Sequence, residues 1–128
     1  MTSEFKPSGY NSVSPYLVVS DANATIDFLQ KAFDAVEIRR FAGPDGRVMH
    51  AEVRIDDTVV MLADGSQGWP AIAAHVHVYV ADVDESYRRA IAAGGVSVQE
   101  PVKKDDADRR SGVREGGGST WWIATKVE

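Results

Sequence analysis

His75-Val-His-Val-Tyr-Val-Ala-Asp82 alternates strictly, so His75, His77 and Tyr79 share one face of a strand and Val76, Val78 and Val80 share the other. One face is apolar and the other carries imidazole and phenol. The run closes on Asp82 with Glu85 three residues later, the spacing of a helix N-terminus. Of the chain's three histidines the remaining one, His50, lies in a similarly alternating run, Val48-Met-His-Ala-Glu-Val-Arg-Ile55. The two runs together point to a site on the equipped side of a sheet.

The same element order is legible from the beginning. Residues 1–11 are polar, contain Gly and Pro, and are expected to be a mobile lead-in. Val13-Ser-Pro-Tyr-Leu-Val-Val19 is an apolar, β-branched run whose Pro15 suits a strand start or a sheet edge. Asp21 and Asn23 are candidate N-caps for a helix with Ile26, Leu29, Ala32 and Phe33 on its apolar stripe, widened by Phe28. Val36–Phe41, Val48–Ile55 and Thr58–Ala63 read as strands, separated by the turn Gly43-Pro-Asp-Gly46 and the tight Asp56-Asp57 connection. Asp64–Ala74 has no period and reads as a linker.

The stretch at 75–82 then begins that order again. A strand over 75–80 leads to a helix buried through Tyr87, Ala90 and Ile91 and ended by Gly94-Gly95. A strand over Val96–Gln99, a charged loop from Lys103 to Asp108, a Gly-rich turn at Glu115–Gly118 and a closing strand over Trp121–Thr125 follow. Val19-Ser-Asp21 and Val80-Ala-Asp82 coincide as strand-to-helix junctions. The helices coincide after a slip of two residues, Phe28 onto Tyr87 and Ala32 onto Ile91, so element order carries the internal repeat.

At 128 residues the chain is read as one domain, 1–128, with a first module at 12–64 and a second at 75–127. Its 44% hydrophobic and 26% charged composition is that of a globular protein. A net charge of -5 provides no basic field for nucleic acid or anionic lipid, so neither is expected as a partner. The chain has no cysteine, which excludes disulfides, thiolate metal sites and cysteine nucleophiles and fits a reducing, cytoplasmic setting. No stretch has the apolar length of a signal peptide or a membrane span. No Ser-His-Asp order, paired-carboxylate motif or dinucleotide fingerprint stands out.

Pro15-Tyr-Leu-Val-Val-Ser-Asp-Ala22 with Ile26-Asp-Phe28, Pro44-Asp-Gly-Arg-Val-Met-His-Ala-Glu52, Val59-Val-Met-Leu-Ala-Asp64, His75 through Asp84, Asp108-Arg-Arg-Ser-Gly-Val-Arg114 and Trp121-Trp-Ile-Ala-Thr125 resemble the glyoxalase/bleomycin-resistance/dioxygenase group, the vicinal oxygen chelate superfamily. The match is to its small glyoxalase-like members and covers nearly the whole chain. The resemblance implies an α+β fold of two βαβββ modules forming a curled, cup-shaped mixed sheet, with helices on the convex side and ligands on the concave side. Relatives are commonly homodimers in which sheets pair or modules swap, so a homodimer is expected.

Parity then sorts the residues within such a cup. His75, His77 and Tyr79 face inward together; His50, Glu52 and Arg54 are their counterparts in the first half, leaving Ala51, Val53 and Ile55 for the helix side. Ser14 and Tyr16, Met61 and Ala63, and Trp122 and Ala124 are the other inward positions, while Trp121 falls on the core side. Tyr16, Tyr79, Trp122 and Met61 form an aromatic, adaptable lining for a flat apolar molecule, oriented by His50, Glu52, Arg54, His75 and His77. In Lys103–Arg110, Arg109 is the candidate to clamp a ligand carboxylate or phosphate. The three glycines of Glu115-Gly-Gly-Gly118, where relatives carry Asp-Pro-Phe-Gly, are expected to loosen that turn.

Metal-dependent relatives place His or Gln, Glu, His and Glu on the first, fourth, fifth and last strands. By the matched motifs those positions fall on Ser14, Met61, His75 and Trp122, of which only His75 could ligate well. The expected protein therefore binds a small, partly aromatic molecule without a cofactor, as drug-sequestering relatives do. The alternative is a metal-dependent lyase, isomerase or dioxygenase using a divalent ion on His75 with His50, Glu52 or His77. A third reading makes the cup a packing surface within an assembly.

Overall fold

The computed structural model describes residues 4–128. The first half runs β1 (Tyr16–Val19), α1 (Ala22–Phe33), β2 (Val36–Ala42), β3 (Val48–Ile55) and β4 (Thr58–Asp64). The second runs β5 (His75–Tyr79), α2 (Val83–Ala92), β6 (Val96–Lys103), β7 (Asp108–Arg114) and β8 (Thr120–Lys126). Each helix starts where its junction Asp predicts. The Asp21 carboxylate accepts from the Ala24 N–H at 3.1 Å, and that of Asp82 accepts from Glu85 N–H at 3.2 Å, satisfying donors the first turn leaves free. Only half of the second capping box forms, because the Glu85 carboxylate turns to Arg88 instead.

Both halves adopt one topology, β1-β4-β3-β2 and β5-β8-β7-β6, with a parallel first pair and antiparallel pairs beyond it. The chain is thus α+β with two βαβββ modules, each a curled mixed sheet whose apolar face a helix covers, and the internal repeat is one of topology. No ladder joins the two sheets among the described residues.

One core serves both modules. Leu17, Val19, Ala51, Val53, Val60 and Leu62 enter it from the first sheet, and Val113, Trp121 and Ile123 from the second, with Val76, Val78 and Val80 half-buried against it. α1 lies between them. It packs on β1, β3 and β4 of its own sheet, yet its Phe33 ring sits 5.7 Å from that of Trp121 in β8, and Phe28 meets the Gly95–Val113 corner of the second module. This double contact buries seven of the twelve α1 residues, whereas α2 buries only Val83 and Ala90 and leaves Ile91 partly exposed. Both apolar faces turn to this shared helical layer, so the two polar faces look outward on separate sheets.

Several boundaries differ from those read in the sequence. β1 begins at Tyr16, so Ser14 precedes the strand, and Pro15, without an N–H, meets β4 only through its carbonyl, which accepts from Met61 N–H at 2.9 Å. β6 runs on through Pro101 to Lys103 because it is an edge strand and Pro101 falls in the register shift between Gln99 and Val102, where no ladder pair is needed; the charged loop shrinks to 104–107. The lead-in is docked where it is described: Tyr10 donates to Glu52, and the Asn11 amide donates to Asp57 and Thr58. Asp64 is no mere linker start. Its two oxygens accept from the backbone N–H of Ala22 at 2.7 Å and of Val48 at 2.8 Å, tying the start of α1 to the start of β3.

The Gly-rich turn is ordered around a buried carboxylate. Glu115, 3% exposed, accepts from the Thr25 hydroxyl at 3.0 Å and from Gly117 N–H at 2.6 Å, while Gly117 carbonyl accepts from Ser20 N–H at 3.2 Å. A Cβ on Gly117 would stand 2.1 Å from Thr25 Oγ1, so the turn has glycine there for closeness to α1 rather than for looseness.

Candidate functional site

Parity delivers the expected residues to the polar faces, but as two clusters. On the first sheet Tyr16, Met61, Glu52 and Arg39 form one cross-strand row over β1, β4, β3 and β2. Glu52 is 6% exposed and accepts from Tyr10 Oη, from His50 Nε2 at 2.8 Å, and has Arg39 Nε at 3.4 Å. Burial opposes its charge, yet the bonds from Tyr10 and His50 and the Arg39 charge outweigh that and hold its carboxyl below the ordinary range. Such a lowered group adds stability above its unfolded value, about 4.3, and loses it as pH falls through the folded one. Glu52→Gln should therefore flatten the acid side of a stability–pH curve measured by urea melts.

A carboxylate can only accept, so His50 Nε2 carries the proton, and in the neutral ring Nδ1 is a lone pair. That lone pair accepts from the Tyr16 hydroxyl at 3.0 Å. Tyr16 on β1 and His50 on β3 meet above β4, where Ala63 has only a methyl to keep out of the way. Around them stand aromatic rings that the sequence reading passed over. Phe41 stacks on His50 at 6.4 Å, and Trp69 lies 5.5 Å from Tyr16. A register shift opposite Phe41–Ala42 lets Val48 and Ala51 both enter the core and leaves Met49 outside with His50. Met49, Trp69 and Ala63 border a cleft of about 520 Å³. Arg54 shares this face, beside Gly9 of the lead-in.

On the second sheet Trp122 lies flat over Gly112, where an added Cβ would approach its ring to 2.6 Å. So placed, its Nε1 donates to His75 Nδ1 at 3.0 Å, with the rings stacked at 6.1 Å. Gly112→Ala should lift the indole, break that bond and cost about 1–3 kcal/mol, read as a red-shifted tryptophan emission and a lower denaturation midpoint. His77 Nε2 accepts from Arg110 Nε at 3.1 Å; partial burial and the Arg110 charge hold this imidazole below its usual value, and neutral. The Tyr79 hydroxyl donates to Asp108 at 2.6 Å, which pushes the phenol up, and Arg110 closes the group on Asp106 and Asp108.

Arg109 is placed apart from the clusters. It sits on the opposite parity from Arg110 and spends two nitrogens on Asp84 at the start of α2, at 3.0 and 2.9 Å, so it ties β7 to the helix. Arg110 faces the site instead, already bound to three side chains.

The four positions that would hold a divalent ion do not suit one. An indole N–H has no lone pair, a thioether suits soft metals, and Ser14 precedes β1. His75 accepts at Nδ1, so its neutral ring carries the proton on Nε2, the nitrogen a metal would need. His50 with Glu52 and His75 with His77 lie on different sheets, and among the described residues no three His, Asp or Glu side chains form a metal-holding group.

Paired βαβββ modules, each with a helix on one face and an equipped concave face on the other, define a glyoxalase-like protein. The chain belongs to the Glyoxalase/Bleomycin resistance protein/Dioxygenase superfamily, whose family model matches residues 9–123. It is 38% identical over 127 residues to the uncharacterised protein Mb0911c of Mycobacterium bovis, covering 91% of this chain and 84% of that one. Among solved structures it is similar to TioX from Micromonospora sp. ML1, with TM-score 0.75, 25% identity and coverage of 91% and 98% of the two chains. It also resembles in fold TnmS3, an antibiotic-binding protein from Streptomyces sp. CB03234, with TM-score 0.69, 18% identity and coverage of 98% and 99%.

No helix among the described residues is long and apolar enough to cross a membrane.

Proposed function

We propose that this protein captures a small, partly aromatic molecule on its concave faces, without the divalent metal of its enzymatic relatives, and that it does so as a cytoplasmic homodimer. The exposed aromatic cluster carries the reading: Tyr16 and Phe41 on the first sheet with Trp69 of the linker beside Tyr16, and Tyr79 on the second sheet, stand on polar faces where folding alone has no use for them. Each face is half a pocket, since the two look away from a common helical layer. Setting the first module of one copy against the second module of another would complete a cup around Tyr16, His50, Glu52, Arg54 and Met61 on one wall and His75, His77, Tyr79 and Trp122 on the other. TnmS3, described as antibiotic-binding, supplies a precedent for this fold as a capturing protein. The net charge of -5 favours a cationic ligand.

Titration with a planar cationic acridine, followed by tryptophan quenching, tests the reading. Saturable binding is expected, weakened about tenfold by Trp122→Ala or Tyr16→Ala, each ring contributing on the order of 1 kcal/mol. Non-saturable quenching would count against it. Stoichiometric metal in protein purified without chelator or affinity tag would overturn the metal-free part, and a monomer mass by light scattering at micromolar concentration the dimer.

A further inference from the structure

The first polar face holds more than a binding surface needs. Glu52, His50 and Tyr16 form a linear series in which the direction of each hydrogen bond is dictated by chemistry: carboxylate accepting from Nε2–H, Nδ1 accepting from the phenol. A buried carboxylate on the polar side of a sheet costs desolvation and contributes nothing to the apolar core. Here it is braced by Tyr10 and Arg39 and aimed at one imidazole. The series ends outward. Tyr16 is 42% exposed, beside the Trp69 ring and the rim of the first sheet's cleft.

We propose that Glu52, His50 and Tyr16 are a metal-free acid–base relay, with the Tyr16 hydroxyl as the group that exchanges a proton with the bound molecule. This goes beyond capture. The Tyr16 oxygen takes a proton from a weakly acidic C–H next to a carbonyl as its own proton passes to His50 Nδ1. The substrate keeps the electron pair as an enolate, and the imidazolium is held by the Glu52 carboxylate. Return of the proton through Tyr16 to a different substrate atom completes a tautomerisation that consumes no co-reactant. The second sheet contains the contrasting case. Tyr79 is more exposed, at 62%, but its hydroxyl is given directly to Asp108, a carboxylate weakened as a base by Arg110, so no imidazole stands ready to receive its proton.

Labelling with an aryl sulfonyl fluoride tests the relay without any ligand in the cup, and so independently of the acridine titration and of dimerisation. The phenol oxygen attacks sulfur, fluoride leaves, and the phenol proton goes to His50. Among the chain's four tyrosines, Tyr16 is expected to react about tenfold faster than Tyr79, by site-resolved mass spectrometry. His50→Gln should remove that advantage while leaving the Tyr79 rate unchanged, which also reports that the fold is intact. Glu52→Gln should lower the Tyr16 rate with the Tyr79 rate unchanged, because the imidazolium loses its carboxylate. Tyr16 reacting no faster than Tyr79, or a Tyr16 rate indifferent to His50→Gln, would overturn the relay.

Discussion

Trp121→Ala is expected to lower stability by about 3–5 kcal/mol, the range for deleting a large aromatic from a packed core. Trp121 is fully buried and its ring lies against Phe33 of α1, so it is a place where the second sheet grips the helix of the first module. Its loss removes apolar contact and uncouples two modules that no strand ladder joins among the described residues. Urea unfolding followed by circular dichroism should show a large fall in midpoint with a broadened transition. Trp121→Phe separates packing from polarity. The indole N–H is buried without a partner, so phenylalanine loses volume but also removes an unsatisfied donor, and it should cost much less than alanine.

The second large effect is expected at Glu115. Alanine there strands the backbone N–H groups of Gly117 and Ser119 and leaves the Thr25 hydroxyl only the Asp21 carbonyl, since all three give hydrogen bonds to this carboxylate. The expected cost is about 3 kcal/mol, since charge-assisted bonds are lost and buried donors are left behind. Glu115 also lies at the first turn of α1, where the helix N-terminus favours an anion. Glu115→Gln keeps an acceptor oxygen of the same shape but loses the charge, so a smaller loss of about 1 kcal/mol is expected in the same urea experiment. If Ala and Gln cost the same, charge rather than hydrogen bonding dominates this contact.

Much of the fold was legible because alternation and turn chemistry are local properties. Val76, Val78 and Val80 against His75, His77 and Tyr79 reads as a two-faced strand wherever it sits, and Ala51, Val53 and Ile55 enter the core as parity requires. Asp21 and Asp82 cap their helices for reasons contained in a few residues of chain. The register shift near Met49 was not legible, because a bulge depends on the partner strand β2 and changes which residue faces out without changing the sequence pattern. Arg109 and Arg110 differ only in parity, and that parity was set by where β7 begins, after a four-residue loop from β6 and within a charged run that has no hydrophobic period.

The candidate site divides along the same line. Tyr16, His50, Glu52, His75, His77, Tyr79 and Trp122 could be chosen from alternation and family resemblance. Tyr10, Phe41 and Trp69 could not, since they come from a lead-in, an edge strand and a linker whose positions follow from packing.

By itself, then, the sequence determined most of the elements, their faces and the repeated order, and through the family resemblance it set Met61 and Trp122 where metal-dependent relatives carry donors. Only the tertiary structure decided that one helical layer would back both sheets, that Tyr16 would reach His50 over the methyl of Ala63, and that Trp122 over Gly112 would dictate which nitrogen of His75 carries its proton. Faces follow from backbone period, which each residue shares with its neighbours in sequence. Hydrogen-bond partners and tautomers follow from side chains brought together across strands, and that meeting exists only once the core has closed.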